Sequence, residues 1–168
     1  MNRSYVVQPG RRATVLVQDQ IGTFKDVSVL LTSTADFLAE RPMYFDYAGV
    51  WTGGHCVIGS TKTGTRWFFA EGYTGQNFDQ WLCIQNPGGQ EATIQVTYFT
   101  QESGPLSPRT VKVPAYTRVT VLVNENAGPD YSLSTQLVSD RPVVVERPMY
   151  FNYNAEWTGG HDVVGHQF

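Results

Sequence analysis

The stretch Asn86-Pro87-Gly88-Gly89-Gln90-Glu91-Ala92-Thr93-Ile94-Gln95-Val96-Thr97-Tyr98-Phe99 carries the pattern on which the fold turns. Its first four residues stop an extended run, Gln80-Trp81-Leu82-Cys83-Ile84-Gln85, because proline presets φ for a turn position and glycine accepts the positive φ that follows. The second half alternates with period two. It sets Ile94, Val96 and Tyr98 on one face and Thr93, Gln95 and Thr97 on the other, as a half-buried strand does.

The same alternation recurs outward, in Thr110-Val111-Lys112-Val113, Val119-Thr120-Val121-Leu122-Val123 and Ser132-Leu133-Ser134-Thr135-Gln136-Leu137. Trp67-Phe68-Phe69-Ala70 and Val143-Val144-Val145 are continuous apolar runs. Seven or eight short strands, with no apolar stripe at helical period, predict an all-β chain: an antiparallel immunoglobulin-like β-sandwich with almost no helix. Pro42 and Pro148 cannot donate to a ladder, so the strands holding them are expected to run along an edge, bulge or switch sheets there.

Residues 3–59 align with residues 109–165 at a constant offset of 106 without a gap and share 25 of 57 positions. Glu40-Arg41-Pro42-Met43-Tyr44-Phe45-Asp46-Tyr47 answers Glu146-Arg147-Pro148-Met149-Tyr150-Phe151-Asn152-Tyr153, and Trp51-Thr52-Gly53-Gly54-His55 answers Trp157-Thr158-Gly159-Gly160-His161. Residues 66–108 have no upstream counterpart. The expected organisation is the C-terminal half of a repeat module in residues 1–59, a polar linker in 60–65 and a complete module in 66–165. The strands of 1–59 are then expected to be covered by residues 66–99 folding back or by another chain, since uncovered ladders and apolar faces recruit partners.

Charged residues make up 16% of the chain, and twelve Lys and Arg against fifteen Asp and Glu leave a net charge of −3 without a basic stripe. Nucleic acid is therefore an unsuited partner. No apolar stretch reaches the ~20 residues of a membrane span, and residues 1–30 lack the basic start and apolar core of a signal peptide. Cys56 and Cys83 sit at unrelated repeat positions, with Asp162 matching Cys56, and are expected to be free thiols, Cys83 buried on a strand.

Ala70-Glu71-Gly72-Tyr73-Thr74-Gly75, Ile84-Gln85-Asn86-Pro87-Gly88, the Glu146–Tyr153 block and Trp157-Thr158-Gly159-Gly160-His161-Asp162 follow one another in a succession that resembles a repeat of large bacterial surface and secreted proteins. The resemblance covers essentially the whole chain. It implies export, an extracellular or cell-surface location and tandem arrangement, and it supplies no catalytic or binding residues. The pattern around Asn86-Pro87-Gly88 is more loosely similar to bacterial cell-adhesion-related domains of immunoglobulin-like fold.

No catalytic residues, cofactor or metal are expected. There is no Gly-x-Ser-x-Gly elbow, and two of the three histidines are repeat equivalents. Asp46 becomes Asn152 across the repeat, which would abolish an acid or base. Only His161, Asp162 and His166 cluster as metal ligands, and Asn124-Glu125-Asn126 with Asp130 lacks a calcium loop's spacing. Adjacent Glu146 and Arg147 point to opposite faces of a strand, so the arginine is expected to bond loop carbonyls and the glutamate to tie a neighbouring turn.

The Trp-Thr-Gly-Gly-His elements are read as turn plugs, with tryptophan over the sandwich end, glycines at positive φ and histidine capping a carbonyl. Twenty-two aromatic residues exceed what one core face needs. The candidate ligand or interface residues are accordingly Trp51, His55, Tyr150, Tyr153, Trp157 and His161. Self-association or neighbouring repeats are the expected partners, with a glycan second and no membrane insertion. The expected function is a non-catalytic structural or adhesive module of an exported bacterial surface protein, assembling into an oligomer or filament. The alternative is a carbohydrate-binding module attached to an exported enzyme.

Overall fold

The computed structural model describes residues 1–167. Its elements in chain order are α1 (Val17–Ile21), β1 (Glu40–Tyr47), β2 (Trp51–Ile58), β3 (Gly64–Phe69), β4 (Phe78–Asn86), β5 (Ala92–Thr100), β6 (Gly104–Pro105), β7 (Arg109–Val113), β8 (Thr117–Leu122), α2 (Val123–Ala127), β9 (Leu133–Tyr153) and β10 (Trp157–Val164). The strands from β3 onward build an antiparallel sandwich, as the alternation predicts.

One sheet pairs β3 with the first part of β9, then β5, which carries both β7 and β6; the other runs β10, the second part of β9, β4 and β8. The period-two pattern fixes what each strand contributes. Strand β4 buries Gln80, Leu82, Ile84 and Asn86 and turns Asp79, Trp81, Cys83 and Gln85 away from the core; β5 buries Ile94, Val96 and Tyr98. Trp67, Phe69, Leu137 and Val145 complete the filling between the sheets. Each of these aliphatic side chains, fully buried, is worth about 1.5–3 kcal/mol.

Strand β9 belongs to both sheets. It leaves β5 after Ser139 opposite Ile94 and meets β4 from Val144 opposite Gln85, so the crossing falls at Asp140-Arg141-Pro142-Val143. Proline does mark the change of sheet, but it is Pro142 that does so. Pro148 instead lies inside the second sheet, opposite Asp162 of β10, where the β4 ladder pairs Gln80 with Met149 and Cys83 with Glu146 and skips Arg147 and Pro148 between them. A residue without an N–H is tolerated at that gap.

The turn after β4 is held differently from the sequence expectation. Neither Gly88 nor Gly89 has positive φ. The buried Asn86 organises the turn: its Nδ2 donates to the carbonyls of Gln90 at 2.7 Å and Val113 at 3.0 Å, and its Oδ1 accepts the Gly88 N–H at 2.9 Å. Left-handed backbone occurs instead at Ala48 and Gly49, and at Asn154 and Ala155, the bends of the β1–β2 and β9–β10 hairpins.

Among the described residues, 1–39 contain α1 and no strand. Residues 66–99 do not fold back over residues 1–59, because β3, β4 and β5 are all paired with β9. Among the described residues the upstream repeat forms no strands other than the β1–β2 hairpin, which lies outside the second sheet against β10 and the end of β9.

Replacing Asn86 with alanine strands two buried carbonyls and one N–H. We expect Asn86→Ala to lower stability by about 2–3 kcal/mol, read as a shift in the urea midpoint with an unchanged slope. A loss below about 0.5 kcal/mol would show that the turn does not depend on this side chain.

Candidate functional site

Alternation along β1 sends Arg41, Met43, Phe45 and Tyr47 to the inner face of the hairpin and leaves Glu40, Pro42, Tyr44 and Asp46 exposed. That inner face meets the outer face of the second sheet, to which β4 contributes Asp79, Trp81 and Cys83, and β9 contributes Glu146, Pro148 and Tyr150. The ring of Tyr47 stacks on Tyr150 at 4.5 Å and 9°, and Phe45 meets the same ring edge-on at 4.8 Å and 81°. The Tyr47 hydroxyl donates to Asp79 Oδ2 at 2.8 Å.

Arg41 closes the other end of the seam. Its Nη1 donates to Glu146 Oε2 at 3.0 Å, and its Nη2 to Asp162 Oδ2. The downstream equivalent, Arg147, points the opposite way, into the sandwich, where its Nη1 donates to the backbone carbonyl and the carboxylate of Glu71. The opposite orientations expected for Glu146 and Arg147 therefore hold, and the arginine does bond a carbonyl. Glu146, however, ties the upstream hairpin and not a turn.

The Trp-Thr-Gly-Gly-His elements are strand segments within β2 and β10, which corrects their reading as turns. Their glycines are not at positive φ. They are small because two strands approach through them: a Cβ on Gly53 would lie 3.3 Å from the Gly159 Cα, and one on Gly160 would lie 2.8 Å from the Phe45 ring. Thr158 Oγ1 donates to the Thr52 carbonyl across the same contact at 3.1 Å. His55 caps no carbonyl; neither ring nitrogen has a hydrogen-bond partner among the described residues. Burial, then Arg41 and His161, hold its pKa below the ordinary histidine value.

Of the six candidate residues, Trp51, His55 and Tyr150 converge on the seam, with Trp51 stacked on Tyr47 at 5.6 Å and His55 6.1 Å from Tyr150. Tyr153 and Trp157 form a separate stacked pair at 6.0 Å and 15°, exposed at the hairpin end. His161 is half-buried, its pKa lowered by burial and by Arg147. The sequence reading missed Arg41, Tyr47, Asp79 and Asp162 as interface residues; the alternation of β1, which places Arg41 with Phe45 and Tyr47, held the signal for the first two. The cysteines are free as expected, but Cys83 faces outward from β4 under the seam, where its Sγ accepts Arg118 Nη2 at 2.9 Å. The Asn124 and Asn126 side chains are spent on structure, bonding Gln80, Phe78 and Tyr98, and no group of three or more metal-binding side chains occurs among the described residues.

Asp162 is the electrostatic centre of the seam. Burial first and Glu146 second push its pKa up to about 6, against the opposing pull of Arg41 and a hydrogen bond from Val163. Tyr150 is likewise pushed up, to about 12, chiefly by burial.

No protein-family model matches this chain, and no curated protein matches it. Among solved structures it is similar to the crystal structure of Thermotoga maritima 1070, with a TM-score of 0.58 and 19% identity over 63% of this chain and 96% of that one. A likeness to the Anabaena sensory rhodopsin transducer has a TM-score of 0.46 and 27% identity over 53% of this chain and 99% of that one. The first likeness concerns the fold alone.

Because the folded state binds the Asp162 proton more tightly than the unfolded chain, this group favours folding most below about pH 4, and its contribution declines as pH rises through about 6. Asp162→Asn removes that titration while leaving Arg41 its Glu146 partner. Denaturation midpoints of the two proteins should coincide near pH 4, with wild type falling below the variant above pH 6. Parallel profiles across that window would overturn the assignment.

Proposed function

We propose that this chain is a non-catalytic structural or adhesive module of an exported bacterial surface protein, acting by holding repeated units against one another. One observation carries the reading: a hairpin from one repeat is seated on the sandwich of the other through stacked rings, a Gly-Gly approach and an arginine shared by two carboxylates. Of the side chains that the sequence marks as chemically suggestive, Trp51, His55 and Tyr150 are engaged in this contact. The surface location rests on the sequence resemblance to repeats of surface and secreted proteins.

Carbohydrate binding is the second reading, and it is favoured by the Tyr153–Trp157 pair, whose rings are 48% and 59% exposed and nearly parallel. Parallel aromatic faces beside a hairpin end suit the apolar face of a sugar ring.

Two measurements separate these readings. The double variant Arg41→Ala, Tyr47→Ala should free residues 40–58 to limited proteolysis while the sandwich melts within about 1 kcal/mol of wild type, as expected for changes outside its core. Cleavage no faster than in wild type would remove the interlock as the basis of function. A glycan array probed with wild type and Trp157→Ala should show no specific signal; binding lost in the variant would establish the carbohydrate reading instead. Protease shaving of intact producing cells tests the location, and protection there with cleavage only after lysis would contradict export to the surface.

A further inference from the structure

Residues 3–59 and 109–165 are equivalent, yet the structure treats them unequally, and the inequality has a pattern. Where local sequence suffices, the two match residue for residue. Helix α1 (17–21) corresponds to α2 (123–127) at the offset of 106, both end on a left-handed glycine (Gly22, φ 87; Gly128, φ 111), and β1–β2 corresponds to the end of β9 with β10. Where a ladder partner is needed they diverge. The counterparts of β7, β8 and the first part of β9 in residues 3–37 form no strand. A strand cannot persist without a neighbour to take its N–H and C=O groups, so what residues 3–37 lack is a partner and not strand propensity.

Burial says the same. Val7, Leu31 and Phe37 are 53%, 53% and 51% exposed, whereas their equivalents Val113, Leu137 and Val143 are all at 0%. Tyr5, Val17 and Val27 are likewise far more exposed than Val111, Val123 and Leu133. The downstream residues are covered by β3, β4 and β5, the segment 66–99 that occurs once in the chain.

We infer that the apolar face of residues 3–37, marked by Tyr5, Val7, Val17, Val27, Leu31 and Phe37, is a docking surface for a second segment with the strand pattern and side chains of residues 66–99. The polar groups specify that occupant further. Arg147 is satisfied by Glu71, and Phe151 stacks on Phe78 at 5.3 Å and 19°. Arg41 and Phe45 are the equivalents of Arg147 and Phe151, so the occupant brings a glutamate and, seven residues on, a phenylalanine.

These same two side chains now hold Glu146, Asp162 and Tyr150. Docking of the occupant and the present seam therefore exclude each other: the hairpin's inner face serves one or the other. A second whole copy of this chain is the wrong occupant by stoichiometry. Each chain has one segment 66–99, already paired with its own β9, and two faces to cover, so exchange between chains leaves as many uncovered as before. The inference does not depend on where the protein is located or on what it adheres to.

The test joins an additional copy of residues 60–108 directly to Arg3, reproducing the spacing between residues 108 and 109, with the rest of the chain intact. Amide exchange across 27–37 should slow by ~100-fold or more relative to the unfused chain, and exchange across 40–47 should slow as well, because β1 gains the ladder partner that β4 gives to the second part of β9. Unchanged exchange across 27–37, in a fusion whose downstream sandwich keeps its melting transition, would overturn the inference. A fusion carrying Glu71→Gln and Phe78→Ala in the added copy alone should protect less; equal protection would refute the assigned side-chain partners. Concentration-dependent protection of 27–37 in the unfused chain, reaching the level of the fusion, would overturn it in favour of self-association.

Discussion

A β-strand is defined by its neighbours, and the arrangement of this molecule follows from how many neighbours each strand can find. Strand β9 finds them on both sides along nearly its whole length: β3 and β5 before the crossing at Pro142, then β4 and β10 beyond it. It fastens the two sheets together and lets alternate side chains face a common core. Without segment 66–99 the same sequence pattern has nowhere to put its backbone groups. The unpaired residues 3–37 show this from the other side, since an equivalent sequence with no ladder partner keeps only its short helix and its hairpin.

The hairpin survives because each of its strands supplies the other's partner, but a two-stranded hairpin is marginal alone in water. Here it is retained by packing on the sandwich. The energetics of that contact are mixed. Ring stacking and the Gly-Gly approach bury apolar surface without loss of polar solvation, whereas Arg41 joins two carboxylates, one of them on a side chain with no solvent exposure. Burial of Asp162 first, and the like charge of Glu146 second, raise its pKa against the pull of Arg41, so the three charges are not all well satisfied. Apolar packing holds the hairpin down, while the charges fix its register.

The sandwich, its strands and the duplication were legible in the sequence because each depends on period-two alternation or on identity at a fixed offset. The seam was not, because alternation tells which side chains share a face and not what that face will meet. Arg41 and Arg147 have the same neighbours in sequence and different partners in the structure: Glu146 and Asp162 for one, Glu71 for the other. The glycines of the Trp-Thr-Gly-Gly-His elements misled for a related reason: a glycine can be required by its own φ or by another strand's proximity, and sequence does not distinguish the two. Pro142 and Pro148 posed a similar choice. One lies at the sheet crossing and the other at a gap in a ladder, with identical local chemistry.

The seam is heterologous, since the inner face of one hairpin meets the outer face of the next, and such contacts can in principle repeat without closing. The exposed outer face of the upstream hairpin shows how far that would go here. Glu40, Pro42, Tyr44 and Gly54 reproduce Glu146, Pro148, Tyr150 and Gly160, so a ring to stack on and one carboxylate for an incoming arginine are present. Cys56, however, stands where Asp162 stands, and among the described residues no strand pairs with the edge of β1 away from β2 to offer an equivalent of Asp79. An incoming hairpin would keep the stacking and one ion pair but lose the second carboxylate and the acceptor for its tyrosine hydroxyl. The acceptors that meet Arg41 and Tyr47 are thus supplied by the downstream repeat, and the outer face of the upstream hairpin does not reproduce them.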